Sequence, residues 1–267
     1  MSELPAQAPL GVVLRTTPLR ESDLLVVLYT DAHGRVSAIA RGARKSHRRF
    51  AGALSLLVLG RYQLGRRPRG DLWGLESADV VREWTQLSND VVAVAHASYV
   101  AEIVGVLFPA EAPDPQVLEI IIALWDALAA GGPSPGALRA AEIALLDLAG
   151  HRPAIEHCAA CGSTDLGHGA VFDPQRGGAI CRSCAAQSRT VGVRPFDPAT
   201  RAYLQAVVEL DAPLAARAAD SDPRFTPADR MAGRDAMVAM VTSLVGRPLR
   251  SLEYLAKLGA AGRRTKQ

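Results

Sequence analysis

At 267 residues, 49% of them hydrophobic, the chain can fill one large domain or two smaller ones with a core, and global disorder is excluded. The net charge of +3 points to no partner by itself, but residues 1–80 carry 12 Lys/Arg against 7 Asp/Glu while residues 81–267 carry 18 against 20. The short first part is therefore the basic one, and a polyanion is its expected partner.

From Gly11 to about Val81 the segments are short and β-like. "GVVLRTT", "DLLVVLYT", "GRVSAIAR", "LSLLVLGRYQL" and "DLWGLESADVV" are rich in Val, Ile, Leu, Thr and Tyr, and clusters of Gly, Pro, Asp and Arg separate them. "TDAHGRV" predicts a tight turn with Gly34 at positive φ. Five short strands in roughly 70 residues fit a small closed barrel better than a sandwich, which needs about seven. The five-stranded option is the OB-fold, whose usual ligand is single-stranded nucleic acid.

Between the third and fourth strands lies "ARGARKSHRRFAGAL", with Arg41, Arg44, Lys45, His47, Arg48 and Arg49 and no acid among them. A run of charge is ordinarily a solvated loop. This run sits where loops flank an OB-fold's binding face, its sign matches the domain, and a second cluster of Arg61, Arg66, Arg67 and Arg69 follows in the next strand and hairpin. Arginine forks bind phosphates and stack on bases. Phe50, Tyr29, Tyr62 and Trp73 are the aromatic residues at hand for stacking, and each suits a core position as well. So few platforms predict a binder that leans on phosphates and ignores sequence.

After Glu83 the segments lengthen and become rich in Ala and Leu. "SNDVVAVAHASYVAEIVGVLF", "DPQVLEIIIALWDALAAGG", "SPGALRAAEIALLDLAG", "DPATRAYLQAVVEL", "TPADRMAGRDAMVAMVTSLVG" and "SLEYLAKLG" read as helices that start near Ser, Thr or Asp. The expected organisation is residues 1–83 as a barrel and 84–267 as a helical domain, with an insertion at about 156–190. Its class is α+β, and the tail "GRRTKQ" is expected to fray. Apolar runs are broken by Glu, Asp or His before the ~18 residues a spanning helix requires, and "MSELPAQAPLG" lacks the pattern of a secretory signal, so a cytoplasmic protein without a membrane role is expected.

All four cysteines lie in the insertion, as Cys158-x2-Cys161 and Cys181-x2-Cys184. Two such knuckles match the spacing of a tetrathiolate zinc site, and Gly162, Gly177 and Gly178 allow the tight turns it needs. Two disulfides or four free thiols are the plain alternative, disfavoured in a reducing compartment. Four sulfurs leave no position for water, so the zinc is structural and His157 and His168 are ordinary exposed histidines. No P-loop, G-x-S-x-G or H-E-x-x-H pattern is present, and Glu21, Asp23, Glu142 and Asp147 read as solvated or helical acids, so no enzymatic site is expected.

The stretch "GVVLRTTPLRESDLLVVLYTDAHGRVSAIARGARKSHRRFAGAL" resembles the start of the bacterial recombination mediator family RecO. The likeness runs through Gly11–Leu14, Glu21 and Asp23, Thr30 and Gly34, and the loop Arg41–Lys45. "LRAAEIALLDLAGHRPAIEHCAACG" resembles the family's helix leading into its first cysteine pair, and "GRPLRSLEYLAKL" is compatible with its ending. The resemblance implies an OB-fold, a helical domain and a zinc-finger-like insertion. It also implies binding to single- and double-stranded DNA, annealing of complementary strands, and contacts with RecR and the tail of single-stranded-DNA-binding protein. The outcome is DNA repair and recombination by loading RecA, near the nucleoid and without nucleotide hydrolysis.

On this reading Arg41, Arg44, Lys45, Arg48, Arg49, Arg61, Arg66 and Arg67 contact DNA. Arg139, beside Leu138, Ile143, Leu145 and Leu146, receives the partner's acidic tail. A zinc-ribbon transcription or RNA-binding factor would share the cysteines and basic domain but not the annealing. A metal-dependent nuclease would need a carboxylate cluster that the sequence does not assemble.

Overall fold

The computed structural model describes residues 8–68, 70–187 and 192–255, apart from the side chain of His47. Arg69 of the second basic cluster, the end of the expected helix 251–259 and the tail lie outside them.

Five strands form a closed barrel, β1 (Leu10–Pro18), β2 (Leu24–Thr30), β3 (Gly34–Ala40), β4 (Val58–Gly65) and β5 (Trp73–Glu83), in the order β1-β2-β3-β5-β4. Neighbours pair antiparallel except β3 and β5, whose parallel pairing of Ala38 to Trp73 and Ala40 to Leu75 completes the ring with β1–β4. Register shifts at Val13/Arg15, Leu59/Gly60 and Gln63/Leu64 bend the strands so that a five-stranded sheet can close. In β3 every second residue points inward, as "GRVSAIA" dictates. Val13, Val26, Leu28, Val36, Ala38, Phe50, Tyr62, Trp73 and Leu75 fill the interior. Tyr62 donates to the Ala53 carbonyl at 2.9 Å, and burial pushes its phenol well above the usual range. The barrel expected from the strand pattern is present, with β4 starting at Val58 instead of Leu54. The shortfall has a local cause: Leu57 stands in the left-handed region at φ 64, where a strand cannot continue.

The described residues divide into two compact units, 8–125 with 254–255 and 126–253. In the first unit the barrel is followed by a 3-10 turn (Thr85–Leu87), α2 (Val91–Leu107) and α3 (Pro115–Gly131), within which the division falls. A four-residue α1 (His47–Phe50) precedes β4. The connection between α2 and α3 runs as a strap over the barrel. Arg35 Nε donates to the Phe108 carbonyl at 2.8 Å, Glu111 N donates to the Arg35 carbonyl at 3.0 Å, and Asp114 N donates to the Tyr29 hydroxyl at 3.1 Å. Gly34 begins β3 at φ +61, and a Cβ there would collide with the Ala112 carbonyl oxygen of the strap. Both turn and strap therefore require glycine.

In the second unit α4 (Pro135–Leu148) packs with α6 (Pro198–Glu209), α7 (Pro213–Ala216), α8 (Ala218–Ser221) and α9 (Pro227–Val245). Ser134 caps α4 through its hydroxyl, and Thr226 with Asp229 forms a capping box on α9. The cysteine insertion is a small sheet of β6 (Val171–Asp173), β7 (Gly178–Ile180) and β8 (Arg194–Pro195), with a short α5 (Arg182–Gln187). Among the described residues no helix is long and apolar enough to cross a membrane.

Candidate nucleic-acid interface and metal centre

The basic loop is built on the β1–β2 turn. Asp23 Oδ1 accepts from the Gly42 amide at 2.9 Å, and Arg44 N donates to the Ser22 carbonyl at 3.0 Å. Arg44 reaches the Glu21 carbonyl and Lys45 pairs with the Glu21 carboxylate, both at 3.0 Å. Ser46 then caps α1, which carries Arg48 and Arg49 outward, while Phe50 turns into the barrel. Arg49 donates to the Arg41 carbonyl and lies 5.1 Å from the Phe50 ring, so the two ends of the loop are tied together. Arg41, Arg44, Lys45, Arg48 and Arg49 are all exposed.

A cleft of about 350 Å³ opens beside this loop, lined by Arg41, Arg49, Arg66 and Arg67 over a floor that includes Ile39, with Glu76 also at its wall. The loop and the β4–β5 hairpin thus contribute two arginines each to one concavity. Arg44, Lys45 and Arg48 are outside it. Arg61 is elsewhere again, half-buried in β4 and donating to the Ala8 carbonyl at 2.9 Å. Tyr29, Phe50, Tyr62 and Trp73 are buried, so none of the four presents a ring for base stacking. Phosphate is the chemistry this surface suits: several guanidinium forks and no free aromatic face.

The four cysteine sulfurs lie within 4.8 Å of one another. They form no disulfide, and Cys161 Sγ is 3.9 Å from Cys181 Sγ. Burial raises the Cys158 thiol, but the amides of Cys181, Cys161 and Ala160 outweigh it and hold the thiol below its ordinary value. The Ser183 hydroxyl lowers Cys181 to about 6, and hydrogen bonding with Cys181 and Cys161 pushes Cys184 up to about 12. The cluster alone thus shares protons among its thiols, and a soft divalent cation is what lets all four act as thiolates. The donor set fits zinc. His157 and His168 are exposed and belong to no such group.

Residues 9–84 match the family model described as Recombination protein O N terminal, and residues 88–253 match Recombination protein O C terminal. The chain belongs to the RecO family of DNA repair proteins. It is 41% identical to "DNA repair protein RecO" of Anaeromyxobacter sp. (strain K) over 251 residues, 93% of this chain and 95% of that one. It is 30% identical to the protein of the same name in Myxococcus xanthus (strain DK1622), over 93% of this chain and 96% of the other.

Within this RecO chain, Arg139 does not offer its charge to solvent. It is 3% exposed and pairs with Glu142, one helical turn on and fully buried. Leu138, Ile143, Leu145 and Leu146 are buried with it, and Tyr203 nearby has its phenol raised to about 12 by burial. Sequence reasoning missed Glu111, which joins the barrel's charged surface from the strap. It accepts two hydrogen bonds from Arg66, at 2.9 and 2.6 Å, and one from Trp73 Nε1 at 3.0 Å. A pairing across 45 residues leaves no trace in local pattern. Asp23 is legible in the sequence only as part of a turn, though it organises the basic loop.

Proposed function

We propose that the barrel binds the phosphodiester backbone of single- and double-stranded DNA without reading sequence, and that the protein brings complementary strands together. The observation that carries this reading is the cleft flanked by Arg41, Arg49, Arg66 and Arg67 beside a cationic loop, with the nearby aromatics turned inward. Annealing two polyanions costs electrostatic repulsion. Cations that neutralise both backbones reduce it, and base pairing between the strands supplies the specificity.

Membership of a DNA repair family supports the same reading and extends it. The protein then acts as a recombination mediator, not an enzyme, in the cytoplasm at the nucleoid. It helps load RecA at gaps coated by single-stranded-DNA-binding protein, together with RecR. Residues 1–83 serve DNA, and residues 84–267 serve the protein partners. The cysteine cluster holds one structural zinc and does no chemistry. The acidic tail of single-stranded-DNA-binding protein is received near Arg139, and since Arg139 is buried against Glu142, its docking requires α4 to open locally.

The test is a variant with Arg44, Lys45, Arg48 and Arg49 all replaced by Ala. Its log-affinity for single-stranded DNA should fall less steeply with log salt, by about 0.7 for each phosphate that the variant no longer neutralises. A folded quadruple variant with the wild-type slope sinks the reading.

A further inference from the structure

Arg66 is already engaged by an acid held in a constrained position. The Glu111 carboxylate meets its guanidinium with two hydrogen bonds at 2.9 and 2.6 Å, the fork geometry with which arginine grips a phosphate. The guanidinium lies 4.1 Å from the centre of the Trp73 ring, and the Trp73 indole donates to the same carboxylate. Glu111 is not a loose surface side chain. Its backbone stands at φ 59, in the left-handed region that non-glycine residues seldom adopt, and its amide is fixed to the Arg35 carbonyl. His33 packs against Trp73 at 4.8 Å and adds positive potential near the carboxylate when protonated. Among the described residues, by contrast, Arg41 and Arg67 of the same cleft have no carboxylate partner.

We infer that the cleft is a subsite for one phosphodiester of single-stranded DNA, and that Glu111 is a built-in competitor that occupies Arg66 until the strand displaces it. This rests on the DNA reading above and adds a threshold to it. The pair is well exposed, with side chains 63% and 38% accessible, so solvent and salt weaken it. A phosphodiester delivered by a strand already held at the basic loop arrives at high local concentration and can take the fork. A short or weakly held strand cannot. The strap would then make tight binding depend on contact with both the loop and the hairpin.

The experiment is a double-mutant cycle on Glu111 and Arg66, read as single-stranded DNA affinity against salt. Glu111→Gln should bind several-fold tighter at low salt, because the strand no longer has to displace a carboxylate to reach Arg66. Arg66→Ala should bind several-fold more weakly than wild type, because the strand loses the fork that it takes from Glu111. The double variant should match Arg66→Ala. Glu111→Asp keeps the charge and suits the left-handed backbone, but shortens the reach. It should shift affinity in the same direction as Glu111→Gln, and it secures the test if the amide variant folds poorly.

No change in Glu111→Gln overturns the inference, as does an equal gain in the Arg66→Ala background, which would mean general charge repulsion. The loop quadruple variant is measured alongside. If it loses affinity while Glu111→Gln is silent, only the competitor fails. If it binds like wild type, the DNA reading fails and the inference falls with it.

Discussion

Arg139 and Glu142 are opposite charges three residues apart on a helix whose residues 136–143 are all buried. Removing one partner of such a pair leaves the other charged in a dry environment, at a cost of about 3–5 kcal/mol. Arg139→Ala should therefore lower the melting temperature sharply, while Arg139→Met with Glu142→Leu should restore much of it. A single variant that melts like the wild type would contradict the buried pairing. Any loss of partner-peptide binding in Arg139→Ala is informative only if the helical unit is still folded at the assay temperature. The burial itself was within reach of the sequence. "LRAAEIALLDL" surrounds Arg139 and Glu142 with Ala, Ile and Leu on every side, which is the pattern of a helix packed all round.

At the scale of elements, the cysteine knuckles are the most readable part of the chain. Two C-x2-C pairs dictate convergence, and the fold brings their sulfurs within 4.8 Å. Metal analysis of protein purified under reducing conditions without chelator should return one zinc per chain, and none would contradict the site. Cys158→Ser should loosen the insertion first, seen as early protease cleavage there, because structural zinc contributes folding energy directly. Untouched DNA affinity in that variant is expected, since the cluster and the basic cleft belong to different compact units.

The strands were legible from β-branched runs between turn residues, and the long helices from their caps. Less legible were features that depend on distant neighbours. The four-residue α1 within the basic loop is too short for propensity to announce. The left-handed Leu57 that delays β4 answers to barrel closure, not to leucine's own preference. Glu111 became part of the charged surface only when the strap crossed the barrel.

At the scale of the whole molecule, charge and fold divide the labour. The excess of Lys and Arg lies in the first 80 residues, where the barrel's cleft and loop display it. The remainder of the chain is close to neutral and carries the cysteine module and helices. On the proposed reading, this arrangement speeds pairing of complementary strands through phosphate neutralisation alone.

The most direct test is a strand-annealing assay with complementary oligonucleotides, run without nucleotide and both with and without divalent metal. Wild-type protein should accelerate annealing equally in both conditions, lose the effect as salt rises, and lose most of it in the loop quadruple variant. Strand cleavage that appears only with divalent metal, or tight DNA binding with no acceleration of annealing, would contradict this mechanism.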